Sequence, residues 1–380
     1  MMRIEQRKWT AAGGWEGSGE PLGADAGLVL LFGGREAVAG PGCWDQLRAR
    51  YPRAHVVGCS TAGEICGTRV LDDSVVATAI AFRATEVEVG RVSLRDVPDS
   101  LAAGGRLGEL LDRPGLVHVL VLSEGLNVNG SELVRGLSRR LPSTVGVSGG
   151  LSGDGDRFQR TLVGVDGCVA EDTVAGIGFY GGALRVGCGS LGGWDPFGPE
   201  RLITRSKGNV LYELDGRSAL ELYRLYLGEH ADELPASGLR FPLSLRLPDG
   251  EAGVVRTILG VDEREQSLTF AGDVPEGAFA RLMKANFERL IDGATGAART
   301  SYRAIGEGTP ELAVLISCVG RKLILKQRVE EEVESVREVL GESPVLAGFY
   351  SYGEISPFTP STRCELHNQT MTITTFAEVE

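Results

Sequence analysis

Lysine is scarce in this chain: of 39 basic residues only Lys8, Lys207, Lys284, Lys322 and Lys326 are lysines. Against them stand 51 acidic residues, giving a formal net charge of −12. That balance argues against non-specific nucleic-acid binding, which relies on clustered positive charge. The preference for arginine, beside abundant alanine and glycine, reads as the mark of a GC-rich genome rather than of an anion-binding surface. No uncharged run reaches the roughly 18 residues a membrane-crossing helix needs. The start, Met1-Met-Arg-Ile-Glu-Gln-Arg-Lys, has no apolar stretch long enough for a secretory signal.

Metal-binding patterns are also missing. The seven cysteines are scattered without a C-x-x-C pair, which in a chain lacking a signal peptide predicts reduced thiols in a cytoplasm. The four histidines, His55, His118, His230 and His367, form no i, i+4 pair, so no metal cluster is expected. His118 lies inside an apolar run and reads as a core residue. A single axial haem ligand is compatible with this spacing, since one histidine is enough.

What the chain has in excess is glycine, 54 residues in 380, mostly at the ends of apolar runs where tight turns belong. One glycine pattern occurs twice, about 290 residues apart. Gly58-Cys-Ser-Thr-Ala-Gly-Glu-Ile65 returns as Gly348-Phe-Tyr-Ser-Tyr-Gly-Glu-Ile355, each after a short apolar run. A strand feeding a glycine-flanked polar turn with one carboxylate is the usual build of a ligand-facing loop. Its bland alternative is a strand-ending turn kept for backbone reasons, with the glutamate capping a helix end.

A larger grammar surrounds these loops: strand, helix, proline, strand, glycine turn. It runs from Leu28 to the first loop, from Val117 to Thr144-Val-Gly-Val-Ser-Gly-Gly-Leu-Ser-Gly-Asp154, and from Leu312 to the second loop. In the last a long charged helix is expected from about Lys322 to Leu340. The expected fold is mixed α/β, two related lobes of β-sheet flanked by helices with internal strand–helix–strand repeats. The expected division is an extension over 1–26 (ordered, or a loose tail), then lobes over 27–217 and 218–380.

The paired loops supply the candidate site. Glu64 and Glu354 would accept hydrogen bonds from a cationic or amide-bearing ligand. Cys59, Ser60, Thr61, Tyr350, Ser351 and Tyr352 would line it with polar groups and an aromatic wall. The turn at Gly149, Gly150 and Asp154 lacks both the P-loop ending and the G-x-G-x-x-G order, and would bring backbone N–H groups and a carboxylate to a small ligand. Arg321 opens a helix, a poor place for a cation unless an anion sits there. Cys59 and Cys318 end apolar runs where a nucleophile could be displayed, yet no companion histidine motif accompanies them, and buried cysteine is usually a small hydrophobe. No catalysis is expected.

These motifs carry a resemblance. Val56-Val-Gly-Cys-Ser-Thr-Ala-Gly-Glu-Ile65 resembles the hallmark of the FIST N-terminal domain. Ile316-Ser-Cys-Val-Gly-Arg321, Leu346-Ala-Gly-Phe-Tyr-Ser-Tyr-Gly-Glu-Ile-Ser-Pro357 and Leu366-His-Asn-Gln-Thr370 resemble the FIST C-terminal domain. The resemblance implies an intracellular sensory module that binds a small ligand such as an amino acid or related metabolite. It offers a haem-binding nitric oxide sensor, or a haem-handling protein, as the alternative. Members are often fused to output domains; with none read after the second lobe, output is expected through a separate signalling protein.

Overall fold

The computed structural model describes residues 1–234, 236–246, 254–306, 308–357 and 364–379. The three strand–helix–strand segments each form a parallel strand pair. Leu28–Gly33 lies beside His55–Ser60, Leu116–Ser123 beside Gly146–Leu151, and Leu312–Cys318 beside Val345–Ser351. Parallel neighbours need a crossover, which the helices Pro41–Arg50, Gly130–Arg140 and Val329–Leu340 provide. An antiparallel strand then returns to each pair: Val75–Ala81, Thr173–Tyr180 or Met371–Glu378.

The segment leaving each pair joins a different sheet before it returns. Glu64–Cys66, after the first pair, adds to Val345–Ser351 of the third. Gly353–Pro357, after the third, adds to Gly146–Leu151 of the second. Val163–Val165, after the second, adds to His55–Ser60 of the first. The three repeats therefore exchange strands in a ring, and each sheet holds a strand from a neighbour. Sheet formation also crosses residue 217, because Leu184–Leu191 pairs with Met371–Glu378.

Period-two alternation decides what each sheet buries. Leu28, Leu30, Phe32, Leu120, Leu122, Leu312, Val314 and Ile316 point inward to one core shared by all three sheets. Val29 and Leu31 point out beneath the first helix, and Val119, Val121, Ala313 and Leu315 beneath the others. With both faces covered, these strands read as continuous apolar runs. Between Leu184–Leu191 and the third repeat the chain inserts a separate nine-stranded sheet with its own core under helix Ala219–Leu227.

Several expectations shift in detail. Residues 3–18 take the ordered option, a hairpin on the edge of the first sheet. Residues 158–162 form a loop ahead of Val163–Val165. The long helix expected from Lys322 to Leu340 is two helices, Val319–Leu325 and Val329–Leu340, broken where Lys326 takes φ +50°.

Candidate functional site

The three glycine turns converge where the strand pairs end. Ala62 N donates to Tyr350 O at 2.8 Å, Gly153 N to Ser60 O at 2.9 Å, and Tyr352 N to Leu151 O at 3.3 Å. First repeat binds third, second binds first, third binds second: the hydrogen bonds close a ring with the same order as the strand exchange. This equates Gly58, Gly149 and Gly348. At each, a Cβ would overlap the carbonyl of the adjoining strand, 2.1 Å from Leu31 O, 2.0 Å from Val121 O and 1.8 Å from Leu315 O, far inside van der Waals contact. Glycine is required there by strand approach, not by a ligand.

The structure brings the sequence-derived candidates together and buries them. Cys59, Ser60, Thr61, Glu64, Gly149, Gly150, Asp154, Arg321, Tyr350, Ser351, Tyr352 and Glu354 are all buried. Thr61 Oγ1 donates to Glu64 Oε1 at 2.5 Å, and Ser74 gives Oε2 its hydroxyl at 2.6 Å and its N–H at 3.2 Å. Ser351 Oγ donates to Glu354 Oε1 at 2.6 Å, and Thr370 gives Oε2 its hydroxyl at 3.0 Å and its N–H at 3.2 Å. The two cages are copies of one another. Burial pushes the Glu64 carboxyl up to about 7 and the Glu354 carboxyl up to about 8, against the downward pull of the donated hydrogen bonds. Neither glutamate caps a helix; each ties its turn to the residue before its return strand.

Asp154 works differently because the middle repeat carries extra residues between turn and exit strand. Val163, opposite Cys59, takes the register place that Glu64 has opposite Phe349 and Glu354 opposite Gly150. Asp154 holds the intervening loop instead, pairing with Arg35 at 2.9 Å and Arg157 at 2.7 Å and accepting the N–H groups of Gln159 and Arg160. Tyr352 stacks on Phe158 with centroids 4.3 Å apart and donates to Gly155 O. Ser60 Oγ donates to Gly153 O and accepts Leu162 N–H.

For Arg321, expected to hold an external anion, the anion is internal. Its Nη2 lies 2.7 Å from Glu332 Oε2, and its other donors reach Gly192 O and Leu290 O. Glu332 also accepts from Ser317 Oγ and, at 2.6 Å, from the Tyr350 hydroxyl. The cation tolerates a helix start because this carboxylate folds back over it.

Burial pushes the Cys59 and Cys318 thiols up, away from the reactive thiolate. His118 contacts Ser148 Oγ at 2.8 Å and burial lowers it to about 3, while His367 contacts Ser356 O and is lowered to about 4. His55 pairs with Asp166 and His230 packs on Phe241. Among the described residues no helix is long and apolar enough to cross a membrane. A cavity of about 480 Å³ lies away from the ring, lined by Arg48, Tyr51, Arg53, His55 and Asp166 among others.

Sequence reasoning missed Ser74, Thr370 and Glu332. The first two had a signal, since each directly precedes a return strand, Val75–Ala81 or Met371–Glu378. Glu332 sat inconspicuously within a run of helical glutamates. The family model of the FIST N domain matches residues 27–217, and that of the FIST C domain matches residues 219–357. An uncharacterized protein of Methanocaldococcus jannaschii is 24% identical to this chain, over 77% of this chain and 60% of its own length. The chain thus spans about 60% of that relative.

Proposed function

The chain belongs to the FIST family, whose domains are sensory modules of signal transduction rather than catalysts, and on that premise we propose that it binds a small polar metabolite and reports its occupancy to a separate signalling protein. The observation that carries this reading is the ring of three turns, in which hydroxyls and carboxyls from all three repeats gather at the strand ends. Strand ends where connections diverge are the habitual ligand sites of α/β sheets. Because these polar groups already have internal partners, a ligand reaching them must displace one. Displacement loosens a ring shared by all three sheets, which turns binding into a change of shape. An amino acid or related metabolite suits such a site, in a cytoplasmic setting.

The test is a thermal-shift screen of the purified chain against amino acids, nucleotides and haem. A true ligand at a hundred times its dissociation constant adds about 2.7 kcal/mol of stability. The ligand is then followed by mass spectrometry. Recovery unchanged is the expected result; turnover, or the absence of any stabilising compound, removes the proposal. A haem-specific absorption band with a selective shift would replace the metabolite reading by the haem one.

A further inference from the structure

The seam between the inserted sheet and the third repeat gathers polar atoms that the ring of turns does not use. Gln369 sits there with φ +64°, in the left-handed region that side chains seldom adopt. Its carbonyl accepts the Trp194 indole N–H at 2.9 Å, and its Nε2 donates to Leu239 O at 2.9 Å. The second contact fixes the amide, so Oε1 is the free end. That oxygen is buried without a protein partner among the described residues, as are Ser237 Oγ and Thr257 Oγ1. The three residues are 0%, 1% and 2% exposed respectively.

They belong to segments in contact. Ser237 lies two residues before Leu239, the acceptor of the Gln369 amide. Thr257 N donates to Asn368 Oδ1 at 3.3 Å, and Gly238 lies against Ile258. Buried polar atoms are nearly always paired, so three unpaired oxygens on adjoining segments mark a place that a hydrogen-bonding molecule, water or ligand, would satisfy.

We infer that this seam, bordered by Ser237, Thr257 and Gln369, binds an uncharged hydrogen-bond-donating group, an amide or hydroxyl, of a small metabolite. The inference rests on the ligand-binding reading above and adds to the ring of turns a contact point beside its third repeat. Gln369 Oε1 can only accept, so the ligand must donate, while the two hydroxyls serve in either role. The charged groups bordering the seam are committed: Arg256 to Asp273 O and Leu366 O, Arg321 to Glu332, and Glu354 to Ser351 and Thr370. An ammonium entering would be buried beside two cations with no free carboxylate, and a carboxylate would have to draw Arg256 away from the backbone oxygens that hold it. Thr370, next to Gln369, holds Glu354, so occupancy of the seam bears directly on one of the two carboxylate cages.

The test uses the full chain, with acetamide and glycerol as uncharged probes and acetate and methylammonium as charged ones of similar size. An uncharged probe should saturably shift the amide resonances of residues 237–239, 257 and 368–370, with the charged pair roughly tenfold weaker or worse. Thr257→Val and Ser237→Ala, which delete unpaired hydroxyls, should each weaken that probe about tenfold without lowering the melting temperature. Equal binding of acetate and acetamide, no binding of either uncharged probe, or unchanged affinity in both variants overturns the proposal. A ligand from the broad screen that stabilises wild type and Thr257→Val alike would sink the seam and leave the ligand-binding reading standing. If the screen yields no ligand at all, both fall.

Discussion

Arg321 Nη2 and Glu332 Oε2 lie 2.7 Å apart although the residues are 11 positions apart in sequence. On one straight helix they would be separated by about 16 Å. The break at Lys326, with φ +50°, folds the second helix back so that the two can meet, and both side chains are wholly buried. The pair is thus a contact that the two-helix arrangement makes possible.

Removing one partner of a buried ion pair strands the other. Arg321→Ala should therefore cost about 3–5 kcal/mol, measured by denaturant unfolding. Arg321→Met combined with Glu332→Leu should recover only part of that loss, since it leaves no orphaned charge but takes a partner from Gly192 O, Leu290 O, Ser317 Oγ and the Tyr350 hydroxyl. Intact stability in Arg321→Ala, with weakened ligand binding, would return the arginine to the ligand.

Glu64 and Glu354 make stability depend on pH in a definite sense. In the unfolded chain each ionises near 4.5; folded, burial raises them to about 7 and about 8. Their contribution is fully present below the unfolded value and is lost as pH rises through the folded ones. Between roughly pH 5 and pH 9 the wild type should therefore lose stability steadily. In Glu64→Gln with Glu354→Gln the slope should flatten, because an amide does not titrate, while the hydroxyls of Thr61 and Ser351 can reverse to accept from it and keep each cage bonded. An unchanged slope in the double variant would place the titration elsewhere.

Gly348→Ala tests the ring through its backbone. A Cβ there would sit 1.8 Å from Leu315 O, so the central strands of the third sheet must part. A loss of roughly 1–3 kcal/mol or more is expected. Gly277→Ala, at φ +85° with no heavy atom near the added methyl, isolates the cost of a left-handed backbone alone and should be milder. Equal losses would show that the strand approach at Gly348 costs no more than a left-handed backbone does.

The mixed α/β class and the threefold recurrence were legible because each strand buries both faces and each crossover helix ends before a proline. The strand exchange was not. Glu64–Cys66 is only three residues long, and nothing local in it says that its partner is Val345–Ser351 rather than its own sheet. The middle copy was read as the third glycine turn of the grammar, but its exit strand was not matched to those of the other two, because residues 154–162 separate turn from strand. Glu64, Glu354 and Arg321 were read as groups that meet a ligand, whereas in the fold each is buried against internal partners. Their present partners, Ser74, Thr370 and Glu332, come from tertiary contacts that no spacing encodes.

The thiols separate a recognition protein from a cysteine-dependent enzyme. Cys168 is exposed, whereas Cys59 and Cys318 are buried at the ends of central strands, where burial holds their thiols protonated. A nucleophilic cysteine needs the opposite, an accessible thiolate favoured by a neighbouring positive charge. Cys59 instead has Glu64 beside it, which raises the thiol further. Under native conditions a thiol reagent should therefore modify Cys168 first and leave Cys59 and Cys318 untouched until the chain unfolds, as read by peptide mass spectrometry. Cys59→Ala should leave the ligand-induced thermal shift in place. Rapid native labelling of Cys59, blocked by the stabilising ligand and accompanied by its turnover, would make this chain an enzyme.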